Sequence, residues 1–292
     1  MTIEVVDDVA EFEQQRPRLF GIAYRMLGEA GEAEDVVQDA YLRWSGRAEV
    51  RTPAAWLTTV VTNLCVNRLT SARARRERYV GPWLPEPVAT GNDPSEAVEL
   101  KDTVSLGFLV LLEKLTPPER AVFVLREAFG YPHRDSAEVL GVDEAHARQL
   151  YRRALARVGD ARRRFEARPA DGVRLVERFI AATVDGDVKA LETMLSADAA
   201  IWADGGGKTI AAREPIFGRS NAAHYLAGLA AGPRALSAEL GVRIVNNAPA
   251  VVVHESGRLT GVLIPEIHDG AITTIRAILN PDKLHYLRTQ LD

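Results

Sequence analysis

The stretch Asp135-Ser136-Ala137-Glu138-Val139-Leu140-Gly141-Val142-Asp143-Glu144-Ala145-His146-Ala147-Arg148-Gln149-Leu150-Tyr151-Arg152-Arg153-Ala154 decides how the middle of the chain is read. A helical pattern from Asp135 to Leu140 runs into Gly141-Val142-Asp143, and a second helical pattern opens at Glu144. Ala137, Leu140, Val142, Ala147, Leu150 and Ala154 fall where two helices joined by a tight turn touch each other, the pattern of a helix-turn-helix. A plain helical hairpin carries the same glycine and is the alternative. In a helix-turn-helix the start of the second helix enters the major groove. That places Arg148, Gln149, Arg152 and Arg153 to reach base edges and phosphates, arginine favouring guanine and glutamine adenine.

Outward from this stretch the pattern stays helical. Upstream, periodicity begins at Ser95, breaks at Thr116-Pro117-Pro118 and resumes from Glu119 to Phe129, where Gly130 interrupts it; downstream the second helix runs to about Phe165. Further upstream, Tyr79 to Asp93 holds Pro82, Pro85, Pro87, Gly81, Gly91 and Asn92, a composition that no helix sustains because proline lacks the amide donor and clashes with the preceding turn. It reads as a flexible linker. From Glu11 to about Ala74, apolar residues recur at helical spacing through Phe12, Leu19, Ile22 and Met26, then Val36, Val37, Ala40 and Trp44, which predicts three or four helices and no strand. Gly28 to Gly31 separates the first two, and Thr52-Pro53 is an N-cap followed by proline at the first helical position.

After Arg168-Pro169 the pattern changes. Helices are predicted over Asp171 to Val184 and Val188 to Leu195, followed by β-rich runs at Ala199–Ala203, Val242–Val245, Val251–His254, Thr260–Ile264 and Ile272–Leu279. The expected organisation is multidomain: all-α domains at 1–78 and 95–168, a linker at 79–94, and an α+β domain at 169–292. A chain of 292 residues, 47% hydrophobic, is long enough for two or three cores.

Charge is segregated along the chain although its net value is only -4. Glu29, Glu32, Glu34, Asp35 and Asp39 lie in a segment without a basic residue, while Arg68 to Arg78 holds five arginines and Arg148 to Arg164 holds seven. Arginine-rich helix ends are ordinarily solvated surface. Two such clusters on two helical domains fit a clamp on DNA phosphates better. The single Cys65 excludes an internal disulfide and a cysteine-rich zinc site and reads as a buried small residue. The acidic start, Met1 to Glu13, lacks the features of a secretory signal, and no apolar run approaches the ~20 residues of a membrane span; a cytoplasmic protein without membrane contact is expected.

Two segments carry a family resemblance. Glu34-Asp35-Val36-Val37-Gln38-Asp39-Ala40-Tyr41-Leu42-Arg43-Trp44, then Thr52-Pro53-Ala54-Ala55-Trp56-Leu57 with Asn63, resembles domain two of the extracytoplasmic-function sigma factors. Leu115-Thr116-Pro117-Pro118-Glu119-Arg120-Ala121-Val122-Phe123 with the turn-helix ending Ala147-Arg148-Gln149 resembles their domain four. The resemblance implies a transcription initiation factor, not an enzyme. It implies that Glu34, Asp35, Gln38 and Asp39 dock on the β′ clamp helices of core RNA polymerase, that domain four meets the β flap and the minus-35 element, and that the loop Arg47 to Arg51 and the helix bearing Asn63 receive the minus-ten element. One base there leaves the stack. Asn63 is the expected base contact, with Arg51, Arg68, Arg73, Arg75 and Arg76 on nearby phosphates; Trp56 is expected to cap the core rather than stack on DNA.

The tail is similar to SnoaL-like domains, whose fold is a cone of curved sheet wrapped by helices. Trp83-Leu84-Pro85 within the linker, Asp204-Gly205-Gly206-Gly207-Lys208 and Asn280-Pro281-Asp282-Lys283 resemble the signature segments of sigma factors carrying this extension. The resemblance implies that the tail regulates the sigma core, and the triple glycine permits a sharp backbone turn. SnoaL relatives include enzymes, for which Asp204, His224, His254 and His268 are the titratable candidates. None has a spacing that implies catalysis or metal binding. No cofactor is expected; a small ligand in the tail, as in a sensor or enzyme fused to a DNA-binding module, is the alternative, and a transcriptional regulator that never touches polymerase is another.

Overall fold

A computed structural model describes residues 2–45, 50–76, 78–90, 105–159, 169–232 and 237–291. These form two compact units, one holding the helices before residue 77 and those from 108 to 159, the other gathering residues 78–90 with those from 169 onward.

The first unit opens with three helices, α1 (Thr2–Leu27), α2 (Ala30–Trp44) and α3 (Pro53–Arg76). Gly28, at φ +71°, ends α1, and Pro53 begins α3, as the sequence predicts. Ile22, Ala23 and Met26 of α1, Val36, Val37 and Ala40 of α2 and Leu57, Val61 and Cys65 of α3 are all buried, so the helical periodicity marks the true core face. Burial pushes the Cys65 thiol well above its ordinary pKa, which keeps it protonated and inert.

Four helices follow: α4 (Leu106–Leu112), α5 (Pro117–Phe129), α6 (His133–Leu140) and α7 (Glu144–Val158). Their ends are specified locally. The Thr116 amide donates to Glu119 Oε2 at 3.0 Å at the start of α5, and left-handed Gly130 and Gly141 terminate α5 and α6. Asp143 accepts the His146 amide at 2.8 Å and caps α7. Helix α6 starts two residues before the sequence pattern places it; the expected helix from Ser95 and the extension toward Phe165 fall largely outside the described residues.

Contacts between these two sets of helices are polar as well as apolar. Arg120 on α5 is buried, donating to Met26 O at 2.7 Å, Leu112 O at 2.9 Å and Glu113 Oε1 at 2.8 Å. Tyr131, after α5, accepts from Arg18 of α1 at 2.7 Å and donates to Thr58 of α3 at 3.2 Å, and the Arg25 guanidinium lies 5.1 Å from the centre of the Phe129 ring. A buried cation costs little only when its donors are satisfied, and Arg120 has three acceptors here.

The second unit contains α8 (Pro169–Val184), α9 (Val188–Met194), β1 (Leu195–Asp204), β2 (Ile216–Phe217), α10 (Arg219–Ala230), β3 (Ala238–Val245), β4 (Ala248–Glu255), β5 (Arg258–His268), β6 (Ala271–Ile278) and α11 (His285–Leu291). The six strands form one sheet in the order β2-β1-β6-β5-β4-β3, antiparallel except for the parallel pair β1 and β6. The hairpins turn on two-residue loops with positive φ, Asn246-Asn247, Ser256-Gly257 and Asp269-Gly270, whose twist matches the strands. Val176 and Phe179 of α8, Leu191 and Met194 of α9, and Ala222 and Leu226 of α10 pack with Ile201, Val251, Ile272 and Ile275 of the sheet in one buried cluster. This is the expected α+β architecture, one sheet with helices packed against it. Four of the five predicted strand runs lie within longer strands, the fifth, Ile272–Leu279, is offset by one residue from β6, and β2, α10 and α11 are additional.

The described part of the expected linker departs from a flexible tether. Residues 79–90 lie along the α+β domain as a strap, with Leu84 and Val88 buried. Thr90 N donates to Ile244 O at 3.2 Å, Asn246 N to Val88 O at 2.9 Å, and Val88 N to Asn246 Oδ1 at 3.2 Å. Prolines that exclude helix leave an extended chain whose remaining amides find partners in the sheet domain.

Candidate nucleic-acid interface and strap anchor

Helix α7 carries the candidate base-reading surface. Ala147, Leu150, Ala154 and Val158 are buried and hold α7 against the other helices of the unit, leaving Arg148, Gln149, Arg152 and Arg153 exposed on the opposite side. Of the six apolar residues expected at the α6–α7 contact, Leu140 and Val142 are only partly buried, and Val139 takes the inner position on α6. Arg157, itself exposed, donates at 2.6 Å to Glu119, whose carboxylate is buried at the start of α5. Tyr151 donates to Glu127 and stands edge-on to His133; burial, then the Glu127 hydrogen bond, pushes its phenol pKa up.

On α3, Asn63 is exposed one helical face away from the buried Val61, Thr62 and Cys65. Trp56, two turns earlier on the same face, is half-buried with its ring 6.0 Å from that of the buried Trp44. Arg51 is exposed just before α3. The loop residues Arg47 to Glu49 and the side chains of Arg73, Arg75 and Arg76 lie outside the described residues.

Arg68 departs from its expected place among the phosphate contacts. Its guanidinium donates to Glu32 Oε2 at 2.6 Å and Asp39 Oδ2 at 2.9 Å and lies 3.8 Å from Asp35, tying α3 to α2. A cation already engaged by carboxylates cannot hold a phosphate without giving them up. On the other flank of α2, Glu34 accepts from Arg16 of α1 at 2.8 Å. Asp35 and Gln38 remain exposed, with Glu34 and Asp39 half-buried beside them.

In the α+β unit the three signature segments converge on Asp204, a fully buried carboxylate at the end of β1. Its Oδ1 accepts Tyr79 Oη at 2.5 Å and Gly206 N at 3.1 Å, and its Oδ2 accepts Leu84 N and Lys283 Nζ at 2.8 and 2.7 Å. Lys283 also donates to Leu84 O, and its ammonium lies over the Trp83 ring at 4.1 Å and the Tyr79 ring at 4.7 Å. Asn280 donates to Tyr79 Oη at 2.8 Å, and Lys208 pairs with Asp282 at the surface. Gly206 sits at φ +57°, where a Cβ would strike the Asn280 amide, so the glycine turn and the strap anchor require each other. Burial, reinforced by the Asp204 carboxylate, pushes the Tyr79 phenol well above the ordinary tyrosine pKa. Pro85 is buried with the strap, and Pro281 O accepts from Arg288 at 3.4 Å.

Tyr79 was not singled out by the sequence, although it stands just before the Trp83 segment. Of the titratable tail residues, Asp204 is wholly engaged as an anchor. His224 is exposed against Ser220, and His268 is exposed beside Asp269. Among the described residues no cluster of histidine, cysteine or carboxylates fit to hold a metal ion occurs, and no helix is long and apolar enough to cross a membrane.

Two family descriptions match the first unit: sigma-70 region 2 over residues 12–75 and sigma-70 region 4 over residues 106–158. The ECF RNA polymerase sigma factor SigJ of Mycobacterium tuberculosis is 36% identical over 94% of this chain and 93% of its own. A probable ECF RNA polymerase sigma factor SigI of the same organism is 31% identical over 97% of this chain and 96% of its own. The crystal structure of M. tuberculosis SigJ superposes with a TM-score of 0.77 at 34% identity, covering 94% of this chain and 98% of that one.

Proposed function

Because the chain belongs to the ECF RNA polymerase sigma factors, we propose that it binds core RNA polymerase in the cytoplasm and directs promoter recognition and transcription initiation under control of its α+β tail. The observation that carries the reading is the exposed row Arg148, Gln149, Arg152 and Arg153 on a helix whose other face is packed in a helix-turn-helix. Such a row meets the minus-35 element in the major groove, with region 4 seated on the β flap. Asn63 and Arg51 meet the minus-ten element, where reading an unstacked base takes polar edges more than a groove-filling helix. Glu34, Asp35, Gln38 and Asp39 on α2 dock on the β′ clamp helices, their charge setting on-rate and register.

The tail acts through the strap. Residues 79–90 connect the two sigma regions in sequence, and their attachment to Asp204, Lys283 and Asn246 makes the tail a holder of that connection. Regulation follows from whether the strap is held or released. A buried ion pair suits such a role because it is specific in geometry and costly to leave half-made. The engagement of Asp204 by four donors argues against its use as a catalytic acid-base in the tail.

Competition for core polymerase tests the reading. Purified chain is expected to displace a labelled housekeeping sigma factor from core enzyme in a concentration-dependent manner. A DNA-binding regulator that never touches polymerase leaves the labelled sigma factor bound, and that result overturns the proposal.

A further inference from the structure

The sheet of the α+β unit has two unlike faces. Ile201 and Ile275 belong to the core shared with α8 to α10, so the residues that alternate with them along β1 and β6 stand on the reverse face. There Trp202 of β1 and Ile264 of β5 flank Arg276 of β6, Ala200 and Glu266 flank Thr274, and Phe217 of β2 lies beside Ala200. Arg276 is only 8% exposed, yet among the described residues its side chain has one hydrogen-bond partner, Glu266, reached from Nε to Oε1 at 2.6 Å. Its two terminal nitrogens donate to no described residue, and neither does the Trp202 indole or the Thr274 hydroxyl. Buried guanidinium groups ordinarily have their donors met, and three neighbouring donor groups without an acceptor are an arrangement that folding alone does not favour.

We infer that this patch binds a small molecule bearing a carboxylate on an apolar or aromatic body. Glu266 holds the Nε side of the guanidinium and neutralises the buried cation, which leaves the terminal nitrogens as a fork that matches the two oxygens of a carboxylate. The indole N–H or the Thr274 hydroxyl supplies a further donor. Ala200 leaves room between Phe217 and Thr274, and the Phe217 ring meets that of Trp202 edge to face at 6.1 Å, giving the ligand's body an aromatic wall. Phe217 is exposed and Trp202 and Thr274 are half-buried, so the patch opens to solvent here. Glu266 also limits the ligand's charge: a phosphate dianion is repelled by it about twice as strongly as a single carboxylate is. Trp202 precedes Asp204 by two residues on the same face of β1, so the site borders the strap anchor without using any of its residues. Its existence does not depend on the promoter-reading assignment.

The test is the binding of acetate, benzoate, phenylacetate and naphthoate to the full chain, followed by ligand-observed NMR, with naphthyl methanol and inorganic phosphate as controls and the melting temperature of each variant recorded. Naphthoate is expected to bind saturably at millimolar concentration and to be displaced by benzoate but not by phosphate. Arg276→Lys keeps a cation beside Glu266 and loses the fork, and is expected to weaken binding on the order of tenfold. Glu266→Gln removes the competing carboxylate and is expected to tighten binding severalfold, a change opposite in sign to any loss through misfolding. Phe217→Ala, at an exposed position, is expected to weaken naphthoate severalfold and leave acetate unchanged, which keeps the site testable even if Arg276→Lys does not fold. No saturable binding of any of the four carboxylates overturns the inference, as does binding that Glu266→Gln and Phe217→Ala both leave unchanged. Phosphate or naphthyl methanol bound as tightly as naphthoate overturns the carboxylate assignment.

Discussion

Replacing Asp204 by asparagine keeps the shape of the strap anchor and removes its charge. The carboxylate has four donors, two backbone amides, the Tyr79 hydroxyl and the Lys283 ammonium, and is fully buried. Asparagine retains one acceptor and introduces a donor, so Lys283, itself 5% exposed, keeps only the Leu84 carbonyl and the faces of Trp83 and Tyr79. Breaking a buried ion pair from one side costs about 3–5 kcal/mol, and the aromatic faces offset on the order of 1–2 kcal/mol, leaving roughly 1–4 kcal/mol. At about 1.4 kcal/mol per tenfold, this corresponds to an opening of the strap about 5- to 700-fold more frequent. Amide hydrogen exchange over residues 79–90 reads it directly, since Leu84 and Val88 donate to Asp204 and Asn246. The converse variant, Lys283→Met, leaves the carboxylate three donors and is expected to open the strap less. Exchange in Asp204→Asn within twofold of the unaltered chain would refute the anchor.

Three further expectations concern the interface and the anchor. Arg148→Ala and Arg153→Ala each cost on the order of 1–3 kcal/mol if they read bases, with a changed preference among promoter variants at fixed salt; uniform weakening across all promoters assigns them to phosphates instead. Arg68→Gln leaves Glu32, Asp35 and Asp39 without their common cation, which lowers stability by about 1 kcal/mol given their partial exposure, while the salt dependence of promoter binding stays unchanged; a slope smaller by about one refutes this. The raised Tyr79 pKa gives the strap a pH limit. At pH below the ordinary tyrosine value of about 10 the phenol is protonated whether or not the strap is held, so attachment is constant; above it the released phenol ionises first and attachment weakens. Strap exchange, corrected for its intrinsic pH dependence, is expected to accelerate beyond pH 10 in the unaltered chain and not in Tyr79→Phe.

Local chemistry made the helical units legible. Gly141 and Asp143 announce the turn between α6 and α7 because one accepts positive φ and the other caps an amide, and both effects act within a few residues. Periodicity revealed the core of α1 to α3 for the same reason. Charged residues gave less away. Arg68, Arg120 and Arg157 look alike in sequence, yet each donates to an acceptor on another helix, whereas Arg148 donates to Glu144 on its own, and only the fold tells them apart. The strap was illegible because its partners are distant in the chain: proline content excludes helix from 79–90 but says nothing of Asp204 or Asn246, over 100 residues away. In the tail, β2 has two residues and α11 seven, too short for a periodic signal, and α10 begins after Gly218 without a side-chain cap.

The measurement that bears most directly on the account is transcription in vitro with purified core polymerase and the full chain on a genomic fragment library. The chain is expected to start transcripts at defined positions sharing one pair of promoter elements, and Arg148→Ala is expected to reduce them. Failure to join core enzyme or to start a transcript at any position would contradict the assignment of both helical regions.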